Sequence, residues 1–471
     1  MMELTKTPGR LGRFRKLVWG ALIGEERDYT TGSIRLAVIL LAIPMILEMC
    51  GESVFAVVDM FFVGKLGKEA LATVLLTESV LSIIYSIAMG MSMAATALVA
   101  RRVGEKNYGE AAHAGMQVIL LAIVLSAVLA IVGVSFAESI LRAMGATPRM
   151  IAENIQYTKI MYGGNLVIML LFLINGIFRG AGDAAIAMHS LLISNAFNII
   201  LCPLLIYGFG PIPGLGIKGA AVATTIGRGM GVLYQMYRLF FRQGMLHFYA
   251  EQLKPHAGLL WQTIKVGSTG AIQFLVTSGS WMFLAKLMSG FGVAPMAGYQ
   301  VAIRLLIFFL LPAWGMSNAA ATLVGQNLGA GQPERAEKSV WITAGYVTAF
   351  MLFVTLICYL FGDPIVSAVN KDAQVRQYAT QTLRIVSLGY IFFGVEMVML
   401  NAFNGAGDTR TPTAVYFVGY WIFQIPLAWW LSQNYIREPK GVFFAIVISQ
   451  FVTTVLAYYL FKRGRWKRVK V

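Results

Sequence analysis

The sequence predicts an all-α integral membrane protein of twelve transmembrane helices, built as two six-helix bundles related by a parallel repeat. Three observations lead there. Apolar runs reach membrane-spanning length, charge is confined to short stretches between them, and a set of motifs recurs at one fixed offset.

Of the 471 residues, 58% are hydrophobic and only 13% are charged, whereas an average soluble domain is about a quarter charged. The apolar runs between the charges are about twenty residues or longer, enough for a helix to cross about 30 Å of hydrocarbon. They place spans at roughly 34–62, 71–99, 112–135, 156–178, 184–207 and 218–240, then at roughly 262–289, 294–324, 338–361, 379–402, 413–432 and 441–462. An even number of spans returns both termini to one side.

The net charge of +16 raises nucleic acid as a partner, and its placement argues against it. Basic residues sit in the N-terminal arm (Arg10, Arg13, Arg15, Lys16), in the C-terminal tail (Lys462, Arg463, Arg465, Lys467, Arg468, Lys470) and in alternate loops (Arg101–Arg102, Arg238–Arg242, Arg335–Lys338). That is the positive-inside pattern of a multi-pass protein of the plasma (inner) membrane with both termini cytoplasmic. The domain reading follows: a cytoplasmic arm at 1–33, a bundle at 34–240, a cytoplasmic linker at 241–261, a second bundle at 262–462 and a basic tail at 463–471. The arm's spacing of Leu11, Phe14, Leu17 and Val18 among basic residues suits a membrane surface. Cys50, Cys202 and Cys358 all lie in apolar runs without a CxxC or Cys/His cluster, so no disulfide frame or structural metal is indicated.

The repeat is explicit. Gly90-Met91-Ser92-Met93-Ala94-Ala95 returns in the second half as Gly315-Met316-Ser317-Asn318-Ala319-Ala320, and Leu98-Val99 as Leu323-Val324. Phe178-Arg179-Gly180-Ala181-Gly182-Asp183 returns at the same offset as Phe403-Asn404-Gly405-Ala406-Gly407-Asp408, and Lys159-Ile160 with Gly164 as Arg384-Ile385 with Gly389. Six spans per half give a parallel repeat, the arrangement of many transporters. Gly180, Gly182 and Asp183, like Gly405, Gly407 and Asp408, read as structural turn motifs, glycine for the backbone angle and aspartate as a helix cap.

These patches carry a resemblance. With Pro44, Val57-Val58-Asp59 and Phe62-Val63 in the first span, Ala100-Arg101-Arg102-Val103-Gly104, Asn195-Ala196-Phe197-Asn198-Ile199 and Gly219-Ala220-Ala221-Val222-Ala223-Thr224, the chain resembles the multidrug and toxic compound extrusion (MATE) family beyond its N-terminal arm. The resemblance implies a V of two bundles around a central cavity. It also implies secondary active efflux of organic cations or amphipathic compounds, in antiport with protons or sodium, by alternating access.

A carboxylate at the bilayer centre costs at least about 2.5–3.5 kcal/mol, so an idle one should be rare. The first span carries Glu48, Glu52 and Asp59, which fall at about 0°, 40° and 20° on a helical wheel and so share one face. Their repeat equivalents are Gln273, Thr277 and Leu284; the second half keeps the scaffold without the acids, which places ion coupling in the first half. Asp59, fifteen residues after Pro44, matches the first-span aspartate of DinF-like members, and by that resemblance is the proton or sodium site, with Asn198 and Thr224 as neutral partners. Pro44 removes a backbone bond and marks a point where the helix can bend. The second DinF-like aspartate is replaced by Cys202, for which Glu52 is the candidate substitute. The seventh-span glutamate of NorM-like members is also missing, with Gln273 and Thr277 in its region, so the chain sits closer to the DinF-like branch. Glu48, Glu78, Gln273, Thr277 and Glu396 are candidates for the substrate cavity, where acids among aromatics and methionines suit a cation, and Arg304, within the eighth span, is the cation expected to neutralise Glu78 or Glu396. His113, His189, His247 and His256 read as surface groups.

Two other readings stand beside the exporter: a lipid-linked saccharide flippase or metabolite exporter of the same superfamily, and a polytopic membrane enzyme. Short loops without a constellation of acids, bases or metal ligands disfavour the enzyme. No phosphate-binding loop is present, so the expected partners are a small organic molecule and the bilayer, with neither an ATP-binding subunit nor a cofactor beyond the coupling ion.

Overall fold

The computed structural model describes residues 10–24, 28–241, 244–246 and 248–469. Arg242, His247 and Lys470 lie outside the described residues, as do the side chains of Arg10, Leu11, Arg13 and Phe14. The chain is helical almost throughout. In the first half run α1 (Arg10–Ile23), α2 (Ile34–Gly64), α3 (Lys68–Gly104), α4 (Tyr108–Ser135), α5 (Ala137–Ala143), α6 (Pro148–Gly163), α7 (Asn165–Ala181), α8 (Ala184–Tyr207) and α9 (Ile217–Phe240). The second half holds α10 (Ala257–Ser289), α11 (Val293–Gly329), α12 (Pro333–Val369), α13 (Ala373–Leu388), α14 (Tyr390–Gly405), α15 (Arg410–Tyr416), α16 (Ile425–Trp430) and α17 (Lys440–Lys462). One two-residue hairpin, β1 (Gly208–Phe209) with β2 (Ile212–Pro213), joins α8 to α9.

Ten spans among the described residues are long and apolar enough to cross a bilayer, one of them running from Pro148 to Ala181 through α6 and α7. The pair α13 and α14, bent by 53°, makes an eleventh. The twelfth expected span is α9, which falls below that apolarity because it carries Lys218, Arg228 and Arg238. The breaks at Gly164 and Gly389 are repeat equivalents. A Cβ at Gly164 would press on Thr225 and one at Gly389 on Gln450, themselves a repeat pair in the same register. Between α15 and α16 the backbone widens into i→i+5 turns over Phe417–Gln424, beside Pro426, whose missing N–H removes a regular helical bond. The linker is stapled by the buried Gln117 of α4, which donates to the carbonyls of Gln252 (3.1 Å) and Lys254 (3.0 Å) and accepts from the His256 amide (2.9 Å).

Each half has its own apolar core, and a third cluster, including Leu41, Met45, Ala319 and Leu323, ties α2 to α11 across the halves. The repeated motifs explain how the halves come so close. A Cβ at Gly90 would overlap the backbone of Gly267 and Ala271 on α10; one at Gly315 would meet Met45 O and Ile46 N on α2 at 2.7 Å. Gly104 likewise abuts Gln326, and Gly329 abuts Arg101. Gly90 on Ala271 matches Gly315 on Ile46 at the repeat offset, and Gly104 on Gln326 matches Gly329 on Arg101, so a pseudo-twofold axis runs between the halves. At the end where Arg101 meets Val469 and α1 precedes α2, Thr322 and Gln326 of α11 donate to the carbonyls of Arg179 and Gly180, both at 3.0 Å.

Two straps cross the same seam. Arg335 of the second half donates to the carbonyls of Gly32 (3.0 Å), Tyr29 (3.2 Å) and Thr31 (2.7 Å) ahead of α2. In return, Arg101 of the first half donates to the Val469 carbonyl of the C-terminal tail, where Trp466 is fully buried and Lys467 meets Glu337 at 2.5 Å. Gly104→Val forces a side chain into the Gln326 backbone. Spin labels at the exposed Glu110 and Glu334 are then expected to sit farther apart than in the parent; an unchanged distance would count against this seam.

The turn motifs hold in part. Gly182 (φ 90°) and Gly407 (φ 85°) take the left-handed conformation that glycine alone adopts cheaply. Asp408 accepts from the Thr411 amide (3.2 Å) and hydroxyl (2.6 Å), as a cap should. Asp183 differs from expectation: it stands at the head of α8 without bonding the helix's amides, and faces the Arg238 guanidinium at 4.0 Å.

Candidate functional site

The first-half bundle gathers a polar cluster where α2, α3, α8 and α9 meet. Asp59 of α2 accepts from Thr224 Oγ1 (2.9 Å) and Asn198 Nδ2 (3.1 Å), with Cys202 Sγ 3.8 Å away. Asn198 also donates to Thr224 Oγ1 at 3.3 Å, while its own carbonyl oxygen is buried with no partner among the described residues. Asn198 and Thr224, expected beside Asp59, both stand against it, Thr224 through its hydroxyl and Asn198 through its amide nitrogen, so the carboxylate's donors among the described residues are all neutral. Pro44 lies inside α2, which runs on unbroken.

Glu52 is not loose beside Asp59. It forms a 2.7 Å ion pair with Arg228 of α9, whose guanidinium is buried, lies 4.4 Å over the Phe55 ring and keeps Nε and Nη1 unpartnered among the described residues. Glu78, in α3, lies within electrostatic reach of Arg228, Asp59 and Glu52. One arginine thus faces three carboxylates. Arg304, expected to neutralise Glu78 or Glu396, is exposed instead; Arg228, buried in the same bundle and within electrostatic reach of Glu78, takes that role for it.

Glu48 occupies a second buried cluster. It accepts from Asn175 Nδ2 at 2.9 Å, and Arg179 Nη1 stands 3.9 Å away, beyond hydrogen-bond distance. Arg179 donates instead to Asn175 O (3.3 Å) and Ser92 Oγ (3.2 Å), and Gln235 closes the network on Asn175 Oδ1 at 2.5 Å.

Between the halves lies a cavity of about 280 Å³. Its wall repeats the register: Met49 with Phe274, Met89 with Trp314, and Met93 with Asn318 line it as equivalents. Thr96 with Ala321 and Arg179 with Asn404 complete the pairing. Gln273 and Thr277 reach the wall as expected. Glu48, Glu78 and Glu396 do not, which corrects the acidic cavity drawn from the sequence. Glu48 is turned into the core onto Asn175, Glu78 sits in the Arg228 cluster, and Glu396 is fully buried against Tyr420 Oη at 3.5 Å. Sequence reasoning missed Arg228 and the cavity role of Arg179. Applying the cost of an intramembrane charge to cations as well as acids would have flagged both. His256 is exposed, as expected of a surface group, while His113 and His189 are half-buried: the His113 and His256 rings pack edge to face at 5.7 Å, and His189 Nδ1 is 3.4 Å from Tyr234 Oη.

The MatE family description matches residues 44–204 and 271–430. The chain is 26% identical to an FAD transporter of Shewanella oneidensis over 409 residues, 87% of this chain and 90% of that one. It is 25% identical to a probable multidrug resistance protein NorM of Thermotoga maritima, covering 92% of this chain and 94% of that one. Among solved structures, a MATE in complex with MaL6 superposes with TM-score 0.88 at 23% identity, covering 94% of this chain and 99% of that one. A transporter of the MOP superfamily from Pyrococcus furiosus, described by the reversed polarity of its binding pocket, gives 0.87 at 23% identity, with 94% and 98% covered.

Proposed function

The chain belongs to the MatE family of multi-pass membrane transporters, and on that premise we propose that it is a secondary active exporter of amphipathic organic compounds, working by alternating access in exchange for protons or sodium. The observation that carries this reading is the Asp59 site: a carboxylate whose hydrogen-bond donors are all neutral, next to an Asn198 side-chain oxygen unpartnered among the described residues. Such a group can lose its charge to a proton, or hold a sodium ion with the Thr224 hydroxyl oxygen and, once its amide turns, the Asn198 side-chain oxygen, and either event alters the bonds joining α2, α8 and α9. The same grouping supports placement nearer the DinF-like than the NorM-like branch. Basic residues around both termini support an inner-membrane location with cytoplasmic ends, and the closed seam at that end then supports a form whose cavity is sealed from the cytoplasm. Similarity to a protein described as an FAD transporter supports a second reading, export of a metabolite.

The test is efflux of a fluorescent organic cation, and separately of a fluorescent organic anion, from proteoliposomes under an imposed proton or sodium gradient. One gradient is expected to drive export of at least one probe, which identifies the ion. If neither gradient moves either probe, ion-driven export is wrong and gradient-independent lipid flipping takes its place.

A further inference from the structure

The cavity wall is asymmetric in a way that the repeat makes legible. Equivalent positions carry Met49, Met89 and Arg179 on the first-half side and Phe274, Trp314 and Asn404 on the other. Phe274 and Trp314 stack with centroids 5.9 Å apart and planes 20° from parallel, so an aromatic shelf faces a cationic one. Among the described residues Arg179 is the single charged side chain on the wall. Its buried neighbour Glu48 stands 3.9 Å off and is engaged by Asn175, which leaves the guanidinium's charge incompletely matched.

We propose that this cavity takes an organic anion with a planar aromatic body, its carboxylate or phosphate on Arg179 and its ring against Phe274 and Trp314. This deepens the export reading and rests on it. Arginine's planar fork suits an oxyanion bidentately, and the bond strengthens away from water. Two unpartnered amides point to the ligand's remaining polar atoms. Asn404 is buried with neither its oxygen nor its nitrogen bonded among the described residues, and the Gln273 side-chain oxygen is likewise unbonded. Both line the cavity. A cationic ligand would instead meet Arg179 with no acid on the wall to offset it.

The test is binding to the purified full chain in nanodiscs, with no gradient, of 1-naphthaleneacetate and its cationic counterpart 1-naphthylmethylammonium, followed by calorimetry. The anion is expected to bind about tenfold tighter or more, the scale of a charge-assisted bond. Arg179→Gln should erase that preference, and Glu48→Gln, which removes the nearby opposing charge, should strengthen anion binding. Asn404→Leu, which leaves the Arg179 network intact, should weaken it and serves should Arg179→Gln not fold. Tighter binding of the cation, a preference that survives Arg179→Gln, or no anion binding by the folded wild type each overturns the proposal. Because the readout needs no ion gradient, its failure leaves the export reading standing, and failure of gradient-driven efflux leaves this result interpretable.

Discussion

Asp59→Asn is expected to reduce gradient-driven efflux to the level of empty liposomes while leaving the protein folded. The substitution is isosteric. Its amide oxygen still accepts from Asn198 or Thr224, and the Thr224 hydroxyl can reverse to accept from the new NH2, so the packing of α2 on α8 and α9 survives. What disappears is the capacity to change charge. A neutral amide neither releases a proton nor balances a sodium ion, so the bonds linking the three helices no longer depend on which side of the membrane the site faces. Proteoliposome efflux is the primary measurement, and probe binding without a gradient is the control, which should stay near wild type because Asp59 is not on the cavity wall. Robust driven efflux from the variant would move coupling to another carboxylate, with Glu52 or Glu78 next in line.

Arg228→Met should be the most damaging single change to stability. It strips the counter-charge from Glu52 at 2.7 Å and from the field at Asp59 and Glu78. Removing one partner of a buried pair costs about 3–5 kcal/mol, because the charge left behind has lost both water and its mate. The partly exposed Glu52 side chain, 31% accessible, puts the expected value near the lower end of that range. Thermal unfolding in detergent should show a clearly lower midpoint. The double variant Arg228→Met with Glu52→Gln should recover part of it, not all, since Asp59 and Glu78 still lack their cation. Full stability of the single variant would mean the pair contributes nothing net.

Much of this architecture was open to reading from residues alone, for a specific physical reason. Spans of apolar residues have a length fixed by the bilayer, and glycines at helix contacts admit no substitute where backbones touch. Gly90, Gly104 and Gly315 stood in the sequence motifs, and they prove to sit where backbones of the two halves touch. The Asp59 neighbourhood was legible through the family resemblance, which set Asn198 and Thr224 beside it by position; residue spacing alone names no partner on another helix. The polarity of the cavity was not. Whether Glu48 looks into the cavity or the core depends on a rotation of α2 that a helical wheel leaves undetermined, and the side chain of Asn175 decides it. Likewise the wheel groups Glu52 with Asp59 but has no means to show that Arg228, on another helix, claims Glu52. The widened turns near Tyr420 follow from how Pro426 is accommodated, which local propensity does not specify.

Each end of the polypeptide is fastened to the half it does not belong to, the segment before α2 by Arg335 and the tail by Arg101. Those four hydrogen bonds must break if the seam at that end parts. Even at about half a kilocalorie per mole apiece they would weight the sealed form about thirtyfold. On the proposed alternating-access reading, the resting population would then be set partly by short sequences outside both bundles. Related chains with different ends could share the same machinery and yet idle in different states.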